Sequence, residues 1–328
     1  MQNYSKTISL LNIRNIERER EMKCPVCYTK YTKYTNCNKH SGKLKRHWKC
    51  TNHTGSAEPF PRDVQRITLS YLTQEKELAI HPTLLTHDKD WSVRKDLRIV
   101  SASHPDLRNL ITNGMLRKKF PMLISVVLYY NQISDVSQLT LPNSLECLDL
   151  SRNQIADVSQ LTLPNSLIWL GLQNNQISDV SQLTLPNSLE WLGLQNNQIS
   201  DVSQLTLPNS LKYLYLSNNN IEDVSQLTLP NSLKELDLSN NQISDVSQLR
   251  LPNSLKRLFL QDNRISDVSQ LTLPNSLELL ILSNNNIEDV SQLTLPNSLE
   301  YLWIDGNRIE DVSKNELRER YPGIVMQF

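Results

Sequence analysis

At 328 residues the chain is long enough for two domains, and its formal charge of zero is a cancellation. Residues 1–120 hold 23 Lys/Arg against 11 Asp/Glu, while residues 121–328 hold 11 against 23, so a basic module with its own partner is expected ahead of an acidic one. No apolar run reaches the ~18 residues of a membrane-spanning helix, and the N-terminus lacks the sustained apolar stretch of a secretion signal.

In chain order, residues 1–20 read as a flexible N-terminal segment. Residues 21–58 concentrate metal-ligand chemistry: Cys24, Pro25, Val26, Cys27 are followed by Cys37-x-x-His40, His47-x-x-Cys50 and His53. Four of the five cysteines lie between Cys24 and Cys50, interleaved with histidines, which is metal-site usage rather than a disulfide framework. Thiolates and imidazoles in close pairs suit tetrahedral Zn²⁺. One Zn²⁺ is expected on Cys24, Cys27, His47 and Cys50, with Cys37, His40 and His53 as alternates. A cross-braced site of two metals needs eight ligands, and the segment offers seven. These features place the protein inside a cell, in cytoplasm or nucleus.

The same stretch resembles a Cys2His2-type zinc finger, with Tyr31 four residues after Cys27 and Leu44 three before His47. The separation of Cys27 from His47 exceeds the ~12 residues usual there, which leaves His53 as an alternative to Cys50. Lys30, Lys33, Lys39, Lys43, Lys45, Arg46 and Lys49 surround Tyr28, Tyr31, Tyr34 and Trp48. That mixture is compatible with nucleic-acid binding through phosphate contacts and base stacking. It is also what solubility demands of a small finger.

Residues 59–119 are expected to be helical. A helix starting after Pro61 would align Val64, Ile67 and Tyr71 on one face, with Leu97, Val100, Leu107, Leu110 and Ile111 on later helices of a small bundle. Phe60, Pro61, Asp63, Val64, Ile67 and Ser70-Tyr71-Leu72 resemble the opening of an F-box. That resemblance implies docking of residues 60–111 on a ubiquitin-ligase adaptor, with the chain as a substrate receptor. The alternative is an ordinary helical cap over the first coil that follows.

From 120 to 313 the sequence repeats. Asp135 through Asp311 recur every 22 residues in nine copies, as do Asn131 through Asn307. A full unit, residues 141–162, reads Leu-Pro-Asn-Ser-Leu-x-x-Leu-x-Leu-x-x-Asn-x-Ile-x-Asp-Val-Ser-Gln-Leu-Thr. One such coil has no partner for its own apolar face, whereas stacked coils share a core. Leu145-x-x-Leu148-x-Leu150 alternates as a short strand must, so stacking in register builds a parallel sheet. Ile155, Val158, Leu161 and Leu163 return the chain along the inside, and Pro164 forbids a helix there. The Asn column is expected to bond backbone groups of its own turn and the adjacent coil, because a buried amide without partners costs ~1–3 kcal/mol. The Asp column is expected to cap backbone N–H groups rather than bind metal.

These motifs resemble 22-residue leucine-rich repeats of the internalin type, and the Leu-Pro-x-Ser-Leu lead-in resembles bacterial effector and FNIP repeats. The resemblance implies an α/β leucine-rich-repeat solenoid with a curved parallel sheet, preceded by the zinc-finger-like segment and the helical region. A cap follows at 314–328: Ser313 to Glu316 has a capping-box pattern for a short helix, then Ile324–Phe328 forms an edge strand.

The outward strand columns vary while the linkers barely do. Trp169, Trp191 and Tyr213 should stand side by side, with Gly171 and Gly193 leaving room beside the indoles. Tyr215, Arg257, Phe259, Tyr301 and Trp303 complete the expected partner-binding set, with Leu279 and Ile281 beside them. Exposed aromatic rows favour interfaces, so a protein ligand on the concave face is expected. The repeats contain no histidine and no nucleophile–base pair, so no catalysis is expected.

Overall fold

A computed structural model of the chain describes residues 31–36, 45–50, 79–80, 96–99 and 115–328. The chain divides into two units, residues 1–74 and 75–328. In the first, β1 (Tyr31–Asn36) and β2 (Lys45–Cys50) form an antiparallel pair with Tyr34 opposite His47 and Tyr31 opposite Cys50. Cys24, Cys27, Cys37, His40 and His53 lie outside the described residues, as does the F-box-like stretch Phe60–Leu72.

The second unit is a parallel sheet of twelve strands laid down in sequence order. It begins with β3 (Ala79–Ile80) and β4 (Asp96–Ile99) and continues after a short helix, α1 (Met115–Lys119). Then come β5 (Ser125–Val127), β6 (Cys147–Asp149), β7 (Trp169–Gly171), β8 (Trp191–Gly193) and β9 (Tyr213–Tyr215). β10 (Glu235–Asp237), β11 (Arg257–Phe259), β12 (Leu279–Ile281) and β13 (Tyr301–Trp303) follow. Helix α2 (Asp311–Arg320) and the edge strand β14 (Val325–Gln327) end the array. The sheet therefore extends past the nine repeats at both ends. Leu97, expected on a helix, lies in β4 and pairs with Val126; a strand there continues the hydrogen-bond ladder of the first coil.

Register follows from the repeat. Leu148, Leu170, Leu192 and Leu214 are cross-strand partners, and all are fully buried. Each coil contributes an equivalent set, as with Leu145, Leu148, Leu150, Ile155, Val158 and Leu161. Full burial of one such side chain is worth ~1.5–3 kcal/mol, a gain opposed by the entropy of ordering a mostly irregular coil.

Three polar ladders run along the stack, two of them joining successive coils and one closing a turn within each coil. The Asn ladder behaves as expected: Asn153 Nδ2 donates to Leu128 O of the previous coil and Leu150 O of its own, at 2.9 and 2.8 Å. Its Oδ1 accepts from Ile133 N at 3.0 Å. The Asp ladder also caps: Asp157 Oδ1 accepts from Ser159 N two residues on, at 2.8 Å, and the bond repeats from Asp135 to Asp289. Those N–H and hydroxyl donors hold carboxyls such as Asp157 and Asp179 below the usual range. The third ladder has no counterpart in the sequence reading. The serine of Leu-Pro-Asn-Ser-Leu donates to a carbonyl of the preceding coil, as Ser166 Oγ does to Leu145 O at 2.6 Å. The near-invariance of that serine was the available signal.

Between each strand and its ladder Asn, the chain turns through a left-handed residue, usually Asn or Asp, as at Asn174 (φ 57°) and Asp262 (φ 56°). These side chains tolerate that region better than most. At the C-terminal end, helix α2 begins at Asp311, two residues before the expected Ser313 start. Glu310 occupies the cap position without a side-chain cap bond, and Asp311 instead pairs with Lys314 at 2.9 Å, one turn along. Leu317 seals the core beneath it. The edge strand β14 forms as expected, paired parallel to β13. Among the described residues no helix is long and apolar enough to cross a membrane.

Candidate functional site

The outward positions of β5–β13 form the variable face, because the central residue of each three-residue strand points into the core. On β7 and β8, Trp169 and Trp191 are register partners. Their rings stack at 4.4 Å with an interplanar angle of 11°. That distance is close to the ~4.8 Å between strands, so the two indoles lie face to face across neighbouring strands.

Gly171 and Gly193 make this possible. A Cβ at Gly171 would come within 2.5 Å of Trp169 Cη2, and one at Gly193 would overlap the Trp191 ring in the same way. Each ring occupies the space its own strand's second outward residue would need. Tyr215 on β9 extends the row, its ring 5.3 Å from Trp191 at 41°. Tyr213, expected in that place, is only 1% exposed; it lies below the surface, and the aromatic row passes to Tyr215 in the second column. Phe259 and Ile281 are likewise buried, whereas Trp303 is half-buried and Tyr301 is 44% exposed.

An acidic floor lies beside the row on β10. Glu235, 3% exposed, accepts from Tyr215 Oη at 2.8 Å and pairs with Arg257 Nη1 at 3.3 Å. Burial pushes its carboxyl up, and Arg257 and Tyr215 oppose that rise. The Tyr215 hydroxyl is itself pushed well above its ordinary value by burial and by the Glu235 charge. Asp237 is raised to about 6 by burial, against the opposing pull of Ser239 and Ser217. Its Oδ1 accepts from Ser239 N at 3.0 Å and from Ser239 Oγ. None of these acids was legible as part of the site, because a charged residue at an outward strand position reads as solvated.

A third outward column adds buried amides. Gln261, 3% exposed, has neither Oε1 nor Nε2 hydrogen-bonded, and Gln173 Oε1 and Gln195 Oε1 are also buried without a partner. Such atoms cost ~1–3 kcal/mol each unless something satisfies them.

The family described as Leucine Rich repeats (2 copies) matches residues 187–229, 209–251, 231–275 and 275–318, and that described as Leucine Rich repeat matches 142–159. The matched stretches, 142–159 and 187–318, are leucine-rich repeats. Among solved structures, the chain is similar to internalin C2 of Listeria monocytogenes, at 27% identity over 59% of this chain and 73% of that one, with a TM-score of 0.41. It is similar to a leucine-rich-repeat protein of Leptospira interrogans at 21% identity, over 71% and 90%, with a TM-score of 0.38. A second Listeria internalin matches at 22% identity over 65% and 82%, with a TM-score of 0.31. No curated protein sequence matches the chain. Leucine-rich repeats are a generic scaffold for protein interaction, so the particular partner must be read from the side chains on the open face.

Proposed function

We propose that the protein is a non-enzymatic interaction module that seats a protein partner on the open, concave face of its leucine-rich repeats. The observation that carries this reading is the stacked row Trp169, Trp191 and Tyr215, laid over two glycines on the one face whose residues change from coil to coil. Sheet stabilisation alone gives aromatic pairs ~0.2–1 kcal/mol and would not favour giving up two strand side chains to glycine. The unpartnered glutamine amides on the same face supply further hydrogen-bonding capacity for a ligand. In this reading Arg257, Tyr301 and Trp303 widen the contact, and the F-box-like stretch at residues 60–72 delivers the bound partner to a ubiquitin-ligase adaptor inside the cell; β3 and β4, within the wider span 60–111, belong to the repeat sheet instead.

Affinity capture with mass spectrometry on the full chain tests it. Proteins recovered with wild type should be lost from a Trp169→Ala/Trp191→Ala/Tyr215→Ala variant; equal recovery with both would sink the open-face reading. Retention of an F-box adaptor by wild type, lost in Val64→Asp/Ile67→Asp, tests the receptor role separately.

A second reading is favoured by the antiparallel pair β1–β2, which carries Lys33, Lys45, Arg46 and Lys49 within twelve strand residues. It makes residues 21–58 a one-zinc module, held by Cys24, Cys27, His47 and Cys50 or the alternates, that binds nucleic acid with the repeats as scaffold. Binding of DNA or RNA to the full chain that falls steeply with salt and is lost in Lys33→Ala/Lys45→Ala/Lys49→Ala would support it; salt-independent or absent binding would not.

A further inference from the structure

Strand β14 ends the sheet and, among the described residues, has a neighbour on one side alone. Its bonds to β13 run through Val325 and Gln327: Val325 N donates to Glu300 O, and Gln327 O accepts from Ile304 N, both at 2.9 Å. Peptide groups alternate sides along a strand, so the N–H and C=O of Met326, between those two residues, point to the open edge. Nothing in the segment discourages a further strand there. Sheet edges are ordinarily protected by a charge, a proline or a bulge, and residues 324–328 read Ile-Val-Met-Gln-Phe. Val325 is 60% exposed and in register with Tyr301, itself 44% exposed. Ile324, Met326 and Phe328 alternate onto the opposite side, where they pack against the core yet stay only half-buried. An inner leucine such as Leu236 is sealed by the coils on both sides; the apolar side of β14 is sealed from one.

We propose that β14 joins two copies of this chain, paired antiparallel about Met326. In that register the two Met326 residues exchange both N–H···O bonds, as one class of directly opposed residues in an antiparallel pair does. Ile324 stands opposite Phe328 of the second copy on the core side, and Val325 stands opposite Gln327 of the second copy on the open face. Directly opposed apolar side chains stabilise such a pairing, and the two half-buried end layers cover one another. The segment is thus its own two-fold complement, with no charge to interrupt it, which favours a second copy over an unrelated strand. The pairing is short, so the dimer dissociates on dilution. This contact is separate from the aromatic row on β7–β9 and does not rest on the reading above.

Sedimentation equilibrium on the full chain, read together with hydrogen exchange, tests the contact. Wild type should pass from monomer to dimer mass as its concentration rises toward roughly 0.1 mM. The Met326 amide, open in the monomer, should exchange at least tenfold more slowly in the dimer. Val325→Lys sets two like charges beside the two-fold axis, at a position exposed enough to leave thermal unfolding unchanged. Met326→Pro removes the edge N–H without touching the ladder to β13. Both variants should stay monomeric at that concentration. Val312→Lys, at a position 66% exposed on α2 rather than on the strand, should dimerise as wild type does. A wild-type chain that stays monomeric overturns the proposal, as does a dimer that persists in either strand variant or is lost equally in Val312→Lys. Slow Met326 exchange already in the monomer, or species larger than a dimer, overturns it too, because a two-fold edge contact closes on itself.

Discussion

Asn241→Ala isolates what the asparagine ladder does for one junction between coils. The amide is buried; its Nδ2 donates to Leu216 O and Leu238 O at 3.0 Å and to Ser239 O at 3.1 Å, and its Oδ1 accepts from Ile221 N at 3.0 Å. Alanine removes all four bonds and strands at least the Ile221 N–H and the Leu216 and Leu238 carbonyls. At ~1–3 kcal/mol for a stranded buried group, with carbonyls at the low end because each has a second lone pair, the expected loss is about 3–5 kcal/mol. The coils interact with nearest neighbours, so the damage should stay at the β9–β10 junction. Urea unfolding followed by circular dichroism should show the loss and a broader or two-step transition, and hydrogen exchange should show the Ile221 amide deprotected while Ile155 and Ile287 are not. A loss under about 1 kcal/mol with Ile221 still protected would refute the ladder as a principal clamp.

Gly193→Ala should displace the Trp191 ring and abolish the exciton couplet of the paired indoles in circular dichroism at little cost in stability, because the obstructed atoms are the far end of a side chain; an unchanged couplet would contradict the geometry. Asp237 has a folded pKa of about 6 against 3.8 for the free group, so its contribution is greatest below pH 4 and is lost as pH rises toward 6, amounting to about 3 kcal/mol. The stability advantage of Asp237→Asn over wild type should therefore grow between pH 4 and 6.5 in urea titrations, and a gap that does not change with pH would show that the carboxyl is not buried as charge. The exposed Asp ladder acts with the opposite sign, losing its contribution as pH falls below 3.8. Elemental analysis of the purified chain should find one zinc, missing from Cys24→Ser/Cys27→Ser; a metal-free chain with freely alkylated cysteines would count against the site.

The repeat period decides much of what is observed. A 22-residue step in which Leu148, Leu150, Ile155 and Val158 recur admits one stacking register, because any slip would bury the Asp column and expose the leucines. The strands, the asparagine and aspartate ladders and the terminal edge strand follow from local patterns that each coil repeats. Tertiary structure alone decides which outward residues remain at the surface. Periodicity places Tyr213 and Tyr215 equally outward, yet the crowding of neighbouring columns buries the first and leaves the second against Trp191. It likewise brings Glu235, Tyr215 and Arg257, twenty and more residues apart, into hydrogen-bonding range across three strands. The start of α2 at Asp311 is a tertiary outcome as well, since the last coil's core needs Leu317 over it and the capping-box pattern at Ser313 gives way. Backbone period is a property of each coil by itself; side-chain accessibility is a property of its neighbours, and the binding face is made of the latter.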